Sequence, residues 1–303
     1  MANNTIENIQ VSVIIVNYNT CALTLDCIAS VYDKTRGVSF EIIVVDNGSA
    51  DRSAETISEH YPEIKVIEAG ANVGFGKANN RGASYARGTY LFLLNSDTLL
   101  INDAISELVH FITGNRAENV GICGGNLYTA NKQPNHSYAT FYPSVLKIFG
   151  YRSQLASLLG SVETFNTSNK PKDVAIIIGA DLLIKKKLFD QLGGFDPAFF
   201  MYIEDGELCL RVKKAGYRIV SVPAAKIIHY QGKSSPTSKK LIMEVTSYLY
   251  YFKKHHSKVS LFAYKIVELA SAVSKFLIFS LSFKKEKAAA YLSLLRFMIK
   301  NIV

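Results

Sequence analysis

The 303-residue sequence is 49% hydrophobic and 19% charged, with 19 Gly and 7 Pro, which excludes a disordered chain and suits one large core or two smaller ones. Cys21, Cys27, Cys123 and Cys209 form no C-x-x-C pair and no Cys/His cluster, so neither a zinc site nor a disulfide framework is expected, and a reducing cytoplasm is the expected setting. The net charge of +9 is confined to the tail: from Pro236 to Val303 twelve Lys/Arg face three Glu, leaving residues 1–235 neutral overall and pointing to an anionic partner, membrane phosphate or nucleic acid.

In chain order, MANNTIENIQ has no basic stretch leading into an apolar one, so no secretory signal is expected. VSVIIVNYN (11–19) is a β-branched apolar run ending in polar residues, as a buried strand does, and EIIVVDNGS (41–49) repeats that form one helix later. The intervening helix is TLDCIASVYDKT, with Leu25, Ile28 and Val31 on one face. ADRSAETISEHY starts a second helix, with Ser49 or Asp51 as N-cap. IKVIEAG is a third strand, KANNRGASYARG a helix whose Ala78, Ala83 and Ala86 permit close packing, and TYLFLLNSD (89–97) the fourth and most apolar strand. The alternation predicts an α/β fold around a mostly parallel, doubly wound sheet, which binds ligands outside the carboxyl ends of its strands. Asn17, Asn19, Asp46, Asn47, Asn95 and Asp97 each follow an apolar run and are thereby placed on one rim.

Past Gly121, VGICGGNLY reads as a strand, NKQPNHSYATFYPS and SVETFNTSNKPKD as loops, DVAIIIGADLLIKKKLFDQLGGF as strand, turn and helix, and GYRIVSVPAAKIIHY as two short strands. KVSLFAYKIVELASAVSKFLIFSLSF (258–283) is almost long enough to span a bilayer but is interrupted by Lys265, Glu268 and Lys275. At about 100° per residue these three fall within roughly 80° of one another, which predicts an amphipathic helix with a broad apolar face. Lysines at both ends favour an interfacial helix on anionic lipid, with packing on the body or on a second subunit as the alternative. The expected organisation is an α/β body over 1–235 and a basic helical tail over 236–303.

Several side chains have the chemistry of a site. Asp97, at a strand exit in LLNSDT, suits a Mg²⁺ or Mn²⁺ ion shared with phosphate and water, or a turn cap. Asp46 in VVDNGSADRS suits a nucleobase or ribose hydroxyl, or an Asx turn. Gly74 and Gly76 in NVGFGKANNRG allow close backbone approach to a ligand, although the stretch matches neither G-x-G-x-x-G nor the Walker pattern. In FFMYIEDGELCLR (199–211), Glu204 and Asp205 follow an apolar run at a helix N-terminus; Asp205 suits a general base or a cap, and Glu204 an orienting group. Glu207 and Arg211 form an i, i+4 pair on that helix, which Gly216 ends. His229 in KIIHYQGKSS suits a metal ligand or a phosphate contact, and Arg211, Lys233, Ser234 and Ser235 are candidate diphosphate or acceptor contacts.

Together VSVIIVNYNT, EIIVVDNGSADRS, NVGFGKANNRG, YLFLLNSDT, GADLLIKKKLF, GGFDPAFFMYIEDGELCLR and IIHYQGKSS resemble, in order, the bacterial family-2 glycosyltransferases, inverting enzymes with a single GT-A domain, and especially their rhamnosyltransferase-like subset. The resemblance implies a nucleotide-sugar donor, with rhamnose on thymidine diphosphate as the family-level guess, and a Mg²⁺ or Mn²⁺ cofactor. By position it implies base contacts at Asp46, donor contacts around Asn79, Asn80 and Ser96, a metal at Asp97 and His229, and a catalytic base at Asp205. Asn95 stands where a full D-x-D has its first Asp, and Glu207 where an Asp is common. The implied acceptor is a saccharide or lipid-linked saccharide at the inner face of the cytoplasmic membrane, in cell-surface polysaccharide synthesis. No nucleic-acid partner is expected, and a homo-oligomer stays open. A nucleotidyltransferase or a non-catalytic nucleotide-sugar-binding module is the rival reading.

Overall fold

The computed structural model describes residues 9–114, 117–153, 163–230 and 237–302 and divides into two units. The first takes the chain as far as Phe141, Glu163–Pro197 and the stretch from Glu204 to the end of the last strand. The second takes the segment beginning at Tyr142, Ala198–Ile203 and the C-terminal helices.

In the first unit, β1 (Val11–Asn17), α1 (Cys21–Lys34), β2 (Phe40–Asp46), α2 (Ser53–His60), β3 (Lys65–Glu68), α3 (Phe75–Ala83) and β4 (Tyr90–Asn95) follow the expected alternation. β1 pairs in parallel with β2 and β4, and β2 with β3. Val11, Val13 and Ile15 of β1 and Phe92 and Leu94 of β4 belong to the main core, against which α1 lays Cys27, Ile28 and Val31. Leu25, expected on the same face, is only partly buried there. α3 rests against β1 and β2 through Gly82, where an added Cβ would lie 2.6 Å from Ile14 Cγ2. α2 departs from expectation: Arg52, in the left-handed region at φ 59°, precedes it, and Asp51 acts from one residue further back, accepting from the Ser53 N–H at 3.2 Å.

β5 (Thr98–Leu100), α4 (Ala104–Thr113), β6 (Val120–Tyr128) and β7 (Tyr138–Ala139) come next. After α5 (Val145–Arg152) of the second unit, the first resumes with β8 (Lys172–Asp173), β9 (Ile176–Ile177), β10 (Asp181–Lys185), α6 (Lys186–Gln191), α7 (Glu204–Lys214) and β11 (Arg218–His229). The sheet order is β3-β2-β1-β4-β10-β6-β11-β5, with β8 on β11. β10 runs antiparallel to both β4 and β6, so the sheet is mixed with a parallel majority. GYRIVSVPAAKIIHY forms one strand, β11, where two were expected. The interruption that Pro223 imposes, having no N–H to give, is absorbed as a register shift between Ser221 and Lys226. All four cysteines are free; burial pushes the Cys27 thiol up to about 12 and those of Cys123 and Cys209 further, making them inert core side chains.

In the second unit, α8 (Ser238–His255), α9 (Lys258–Leu281) and α10 (Lys285–Ile302) pack around Leu241, Val245, Ala272, Tyr291, Leu294 and Met298. The aromatic strap Ala198–Ile203 is held within this unit: the Phe199 ring meets Tyr250 edge-on at 4.9 Å, and the Met201 carbonyl accepts from Ser247 Oγ at 2.7 Å. α9 is a helix as expected, capped by Ser257, whose Oγ accepts from the Ser260 N–H at 3.2 Å. Glu268 and Lys275 of its polar stripe face inward. Glu268 is 3% exposed and takes Arg152 Nε at 3.0 Å, while Arg152 Nη2 also reaches Glu244 at 2.9 Å. Lys275 lies over the Tyr291 ring at 5.7 Å. The buried Arg152 guanidinium draws the stripe in, because a lone buried cation would be far costlier than a paired one. Among the described residues, no helix is long and apolar enough to cross a membrane.

Candidate active site

The carboxyl ends of β1, β2 and β4 form a continuous polar rim. Asn17 at the end of β1 is fully buried; its amide donates to Asp46 Oδ1 at 2.8 Å and to Ser49 Oγ at 3.0 Å, while its oxygen accepts from Thr20 and Thr24. Asp46 Oδ2 accepts the Ser49 N–H at 3.0 Å. Asn19, in the left-handed region, receives the Ala50 N–H at 2.7 Å. Asn47 reaches across to the next loop, accepting from Val73 N–H and donating to Asn72. Gly48 makes that loop contact possible, since a Cβ at its φ of +81° would sit 2.7 Å from the Ala71 backbone. Beside this network lies a cavity of about 300 Å³ lined by Asp46, Ser49, Arg52, Ser53, Glu55 and Glu68, among others, with the size and polarity suited to a base or ribose.

The glycine-rich turn leads into α3. Gly74, at φ 90°, caps the helix and donates to Asn72 Oδ1. Asn79 and Asn80 serve the fold directly: Asn79 donates to the Phe75 carbonyl, and Asn80 brackets Phe195, donating to its carbonyl and accepting its N–H, both at 2.8 Å. Gly76 lets Phe195 close on the helix, for an added Cβ would meet the Phe195 Cβ at 2.9 Å and the Glu204 Cβ at 3.9 Å.

At the exit of β4, the Asn95 N–H donates to the Ala180 carbonyl and Ser96 Oγ meets Thr20 Oγ1 at 3.1 Å. β11 brings His229 alongside, in register with Thr98 of β5. His229 Nε2 lies 3.2 Å from Asp97 Oδ1 and 3.4 Å from Asn95 Nδ2, and its buried Nδ1 has no hydrogen-bond partner among the described residues. No three His, Cys, Asp or Glu side chains gather into a metal cluster among the described residues. The donor set of one carboxylate and one imidazole nevertheless fits a hard cation that takes its remaining oxygens from phosphate and water. An Asn95 amide in place of a second carboxylate weakens the charge of the set without removing its oxygen.

Glu204 and Asp205 open α7, directly after Tyr202 and Ile203, both in the left-handed region at φ 72° and 70°. Two consecutive non-glycine residues there, one β-branched, hold strain of the kind found at functional turns. Asp205 accepts the Gly179 N–H at 2.9 Å and the Gly206 N–H at 2.7 Å. Glu204 is buried and its Oε2 has no hydrogen-bond partner among the described residues. Burial first, then the Asp205 charge, pushes the Glu204 carboxyl up to about 8; burial also raises Asp205, against the two N–H donors and the nearby His136, which favour its anion. Of the two, Asp205 with its two N–H donors is the carboxyl that favours the anion, and Glu204 the one that favours its proton. Because Gly179 adjoins Ala180, which binds Asn95, the carboxylate pair and the Asp97–His229 pair lie on one rim.

Arg211 does not face this rim as a ligand contact. Its guanidinium is spent on Glu207 and on the Leu192 and Gly194 carbonyls, all within 2.8 Å, and so pins α7 to the preceding turn. Glu207, fully buried, is the anchor for that arginine. Lys233, Ser234 and Ser235 lie outside the described residues.

A family model described as glycosyl transferase family 2 matches residues 12–193. The chain belongs to glycosyl transferase family 2. Its family-2 relatives include the N-acetylglucosaminyl-diphospho-decaprenol L-rhamnosyltransferase of Mycobacterium tuberculosis (strain ATCC 25618 / H37Rv), 26% identical over 235 residues, 71% of this chain and 75% of that one. Rhamnosyltransferase WbbL of Escherichia coli (strain K12) is 29% identical over 205 residues, 63% of this chain and 73% of that protein. Among solved structures, a mannosyltransferase from Pyrobaculum calidifontis superposes with a TM-score of 0.56 at 17% identity, over 94% of this chain and 74% of that one. The fold is GT-A. The family match ends before α7 and β11, so Glu204, Asp205 and His229 stand on their own geometry.

Sequence reasoning missed three parts of this family-2 site. Ser49 and Asn72 are the hubs of the rim's hydrogen bonds, and D-N-G-S and A-N-V offered turn chemistry as the only sign. His136, beside Asp205, comes from a loop whose sequence carries no period.

Proposed function

We propose that this chain is an inverting, metal-dependent glycosyltransferase that moves a sugar from a nucleotide-sugar donor, with dTDP-rhamnose the first candidate, to a saccharide or lipid-linked saccharide acceptor. The observation that carries the reading is the placement of the Asp205 carboxyl, held by two N–H donors, on the same rim as the Asp97–His229 pair, with a polar cavity at Asp46. Asp205 takes the proton of the acceptor hydroxyl as its oxygen bonds to the anomeric carbon from the face opposite the diphosphate. The anomeric carbon–oxygen bond breaks and its electron pair leaves on the nucleoside diphosphate. Neutral Glu204 donates a hydrogen bond that orients the base or the acceptor. Asp97 and His229, with Asn95 beside them, would hold Mg²⁺ or Mn²⁺, which when bound stabilises charge on the departing diphosphate. Asp46 and Asn17 shape the base end, and Asn79, Asn80 and Gly74 hold the walls of the donor site in place.

The name of the mycobacterial relative, which specifies a diphospho-decaprenol saccharide, supports a lipid-linked acceptor and a role in cell-surface polysaccharide synthesis. The basic tail supports peripheral contact with the inner face of the cytoplasmic membrane. The test is release of nucleoside diphosphate from a panel of sugar nucleotides with Mg²⁺ or Mn²⁺ and a polyprenyl-diphosphate saccharide. Release from one donor, lost in Asp97→Ala and on chelation, is the expected result. Donor binding without release under any acceptor condition would leave a binding module instead.

A further inference from the structure

α9 is amphipathic inside out. Its charged residues Glu268 and Lys275 turn inward onto Arg152 and Tyr291, while Val259, Phe262, Ile266, Val273, Leu277 and Leu281 are exposed, Phe262 at 65% and Leu281 at 80%. At 100° per residue these six fall within an arc of roughly 100° that contains no charged side chain. The 24-residue helix makes the stripe about 36 Å long. Rotation of α9 about its axis would not hide it, because the Arg152–Glu268 pair fixes the helix face. Phe283, 87% exposed and in the left-handed region, extends the stripe into the turn before α10.

The charge pattern chooses the occupant. Exposed Lys258 marks one end of the stripe, and exposed Lys284 and Lys285 the other. A second copy laid on this face would bring lysines against lysines whether the two helices ran parallel or antiparallel. An anionic lipid surface satisfies both ends and the apolar middle at once, and no described helix is apolar enough to cross it.

We propose that α9 lies flat in the headgroup region of an anionic bilayer, inserting the Phe262–Ile266–Leu277–Leu281 face while Lys258, Lys284 and Lys285 meet lipid phosphate. This deepens the membrane contact of the proposed function and rests on it. The test is flotation of the full chain with phosphatidylcholine vesicles, with and without phosphatidylglycerol, for the wild type, Phe262→Glu/Leu277→Glu, Val273→Ser/Leu281→Ser and Lys284→Glu/Lys285→Glu. Circular dichroism checks each fold and light scattering each mass. The expected result is binding that requires phosphatidylglycerol and weakens at least tenfold in each variant that keeps native dichroism. Wild type that stays with neither vesicle would overturn the membrane contact itself. Binding unchanged in both apolar-face variants would overturn the face while leaving a purely ionic contact. A dimer that dissociates in those variants, with no vesicle binding, would assign the stripe to a second copy.

Discussion

Asp205→Asn and Glu204→Gln, compared at neutral pH, separate the two carboxylates of α7. Asp205 is the favoured seat of the charge because two N–H groups and the start of a helix face it, and Glu204 of the proton because it is buried with no hydrogen-bond partner for Oε2 among the described residues. Asn at 205 retains an acceptor for one N–H but sets its NH₂ against the other, and removes the base. General-base loss costs a factor of about 10²–10⁴ in kcat, or roughly 3–5 kcal/mol of barrier. Gln at 204 reproduces the shape of the neutral acid and an N–H donor, so its expected loss is within about tenfold, the worth of one hydrogen bond. Initial rates of sugar transfer, with kcat and KM resolved separately and thermal unfolding of each variant measured in parallel, provide the readout. Equal loss in the two variants at native stability, or full turnover in Asp205→Asn, would refute the assignment of charge and proton.

Glu204 also makes stability depend on pH. Its folded pKa, about 8, lies above its ordinary value of 4.5, so its proton favours the folded state below 4.5 and that contribution is lost as pH rises through 8. Denaturant titrations at stepped pH should show Glu204→Gln gaining on the wild type across that window, whereas a constant difference would mean the carboxyl is hydrated. His229→Ala should weaken cation-dependent donor binding by about 10–100-fold in calorimetry, while cation-free donor binding stays within a few-fold. Arg152→Met leaves Glu268 buried without its cation and should cost about 3–5 kcal/mol of stability, read by denaturant unfolding of the full chain.

Much of the first unit was legible because a strand buried on both faces writes itself as an unbroken apolar run. Val11–Asn17, Phe40–Asp46 and Tyr90–Asn95 all did so, and each handed its polar end to the rim. The direction of Asp181–Lys185 was not legible, since an apolar run looks the same read toward or away from the ligand. Asn79 and Asn80 looked like ligand groups because an amide that will bind a backbone and one that will bind a sugar have the same chemistry; in the fold Asn79 is taken by the Phe75 carbonyl and Asn80 by Phe195, 115 residues on. Arg211 misled for the same reason. The period of α9 was correct but gave two faces without saying which is covered; Arg152, 116 residues before Glu268, decides that.

β11 is the last strand of its sheet to be made, yet it sits inside it, between β6 and β5. Until it arrives, β5 has no partner in the sheet and β6 lacks one of its two. Asn95 and His229 are 134 residues apart, a span that takes on the order of ten seconds to synthesise at about 5–20 residues per second. A chain emerging from the ribosome therefore carries Asp97 for that interval with no imidazole beside it and an open sheet edge next to it. The step that covers the β6 edge is the same step that brings the His229 imidazole to Asp97, so the closing of that part of the sheet and the pairing of these two side chains are one event.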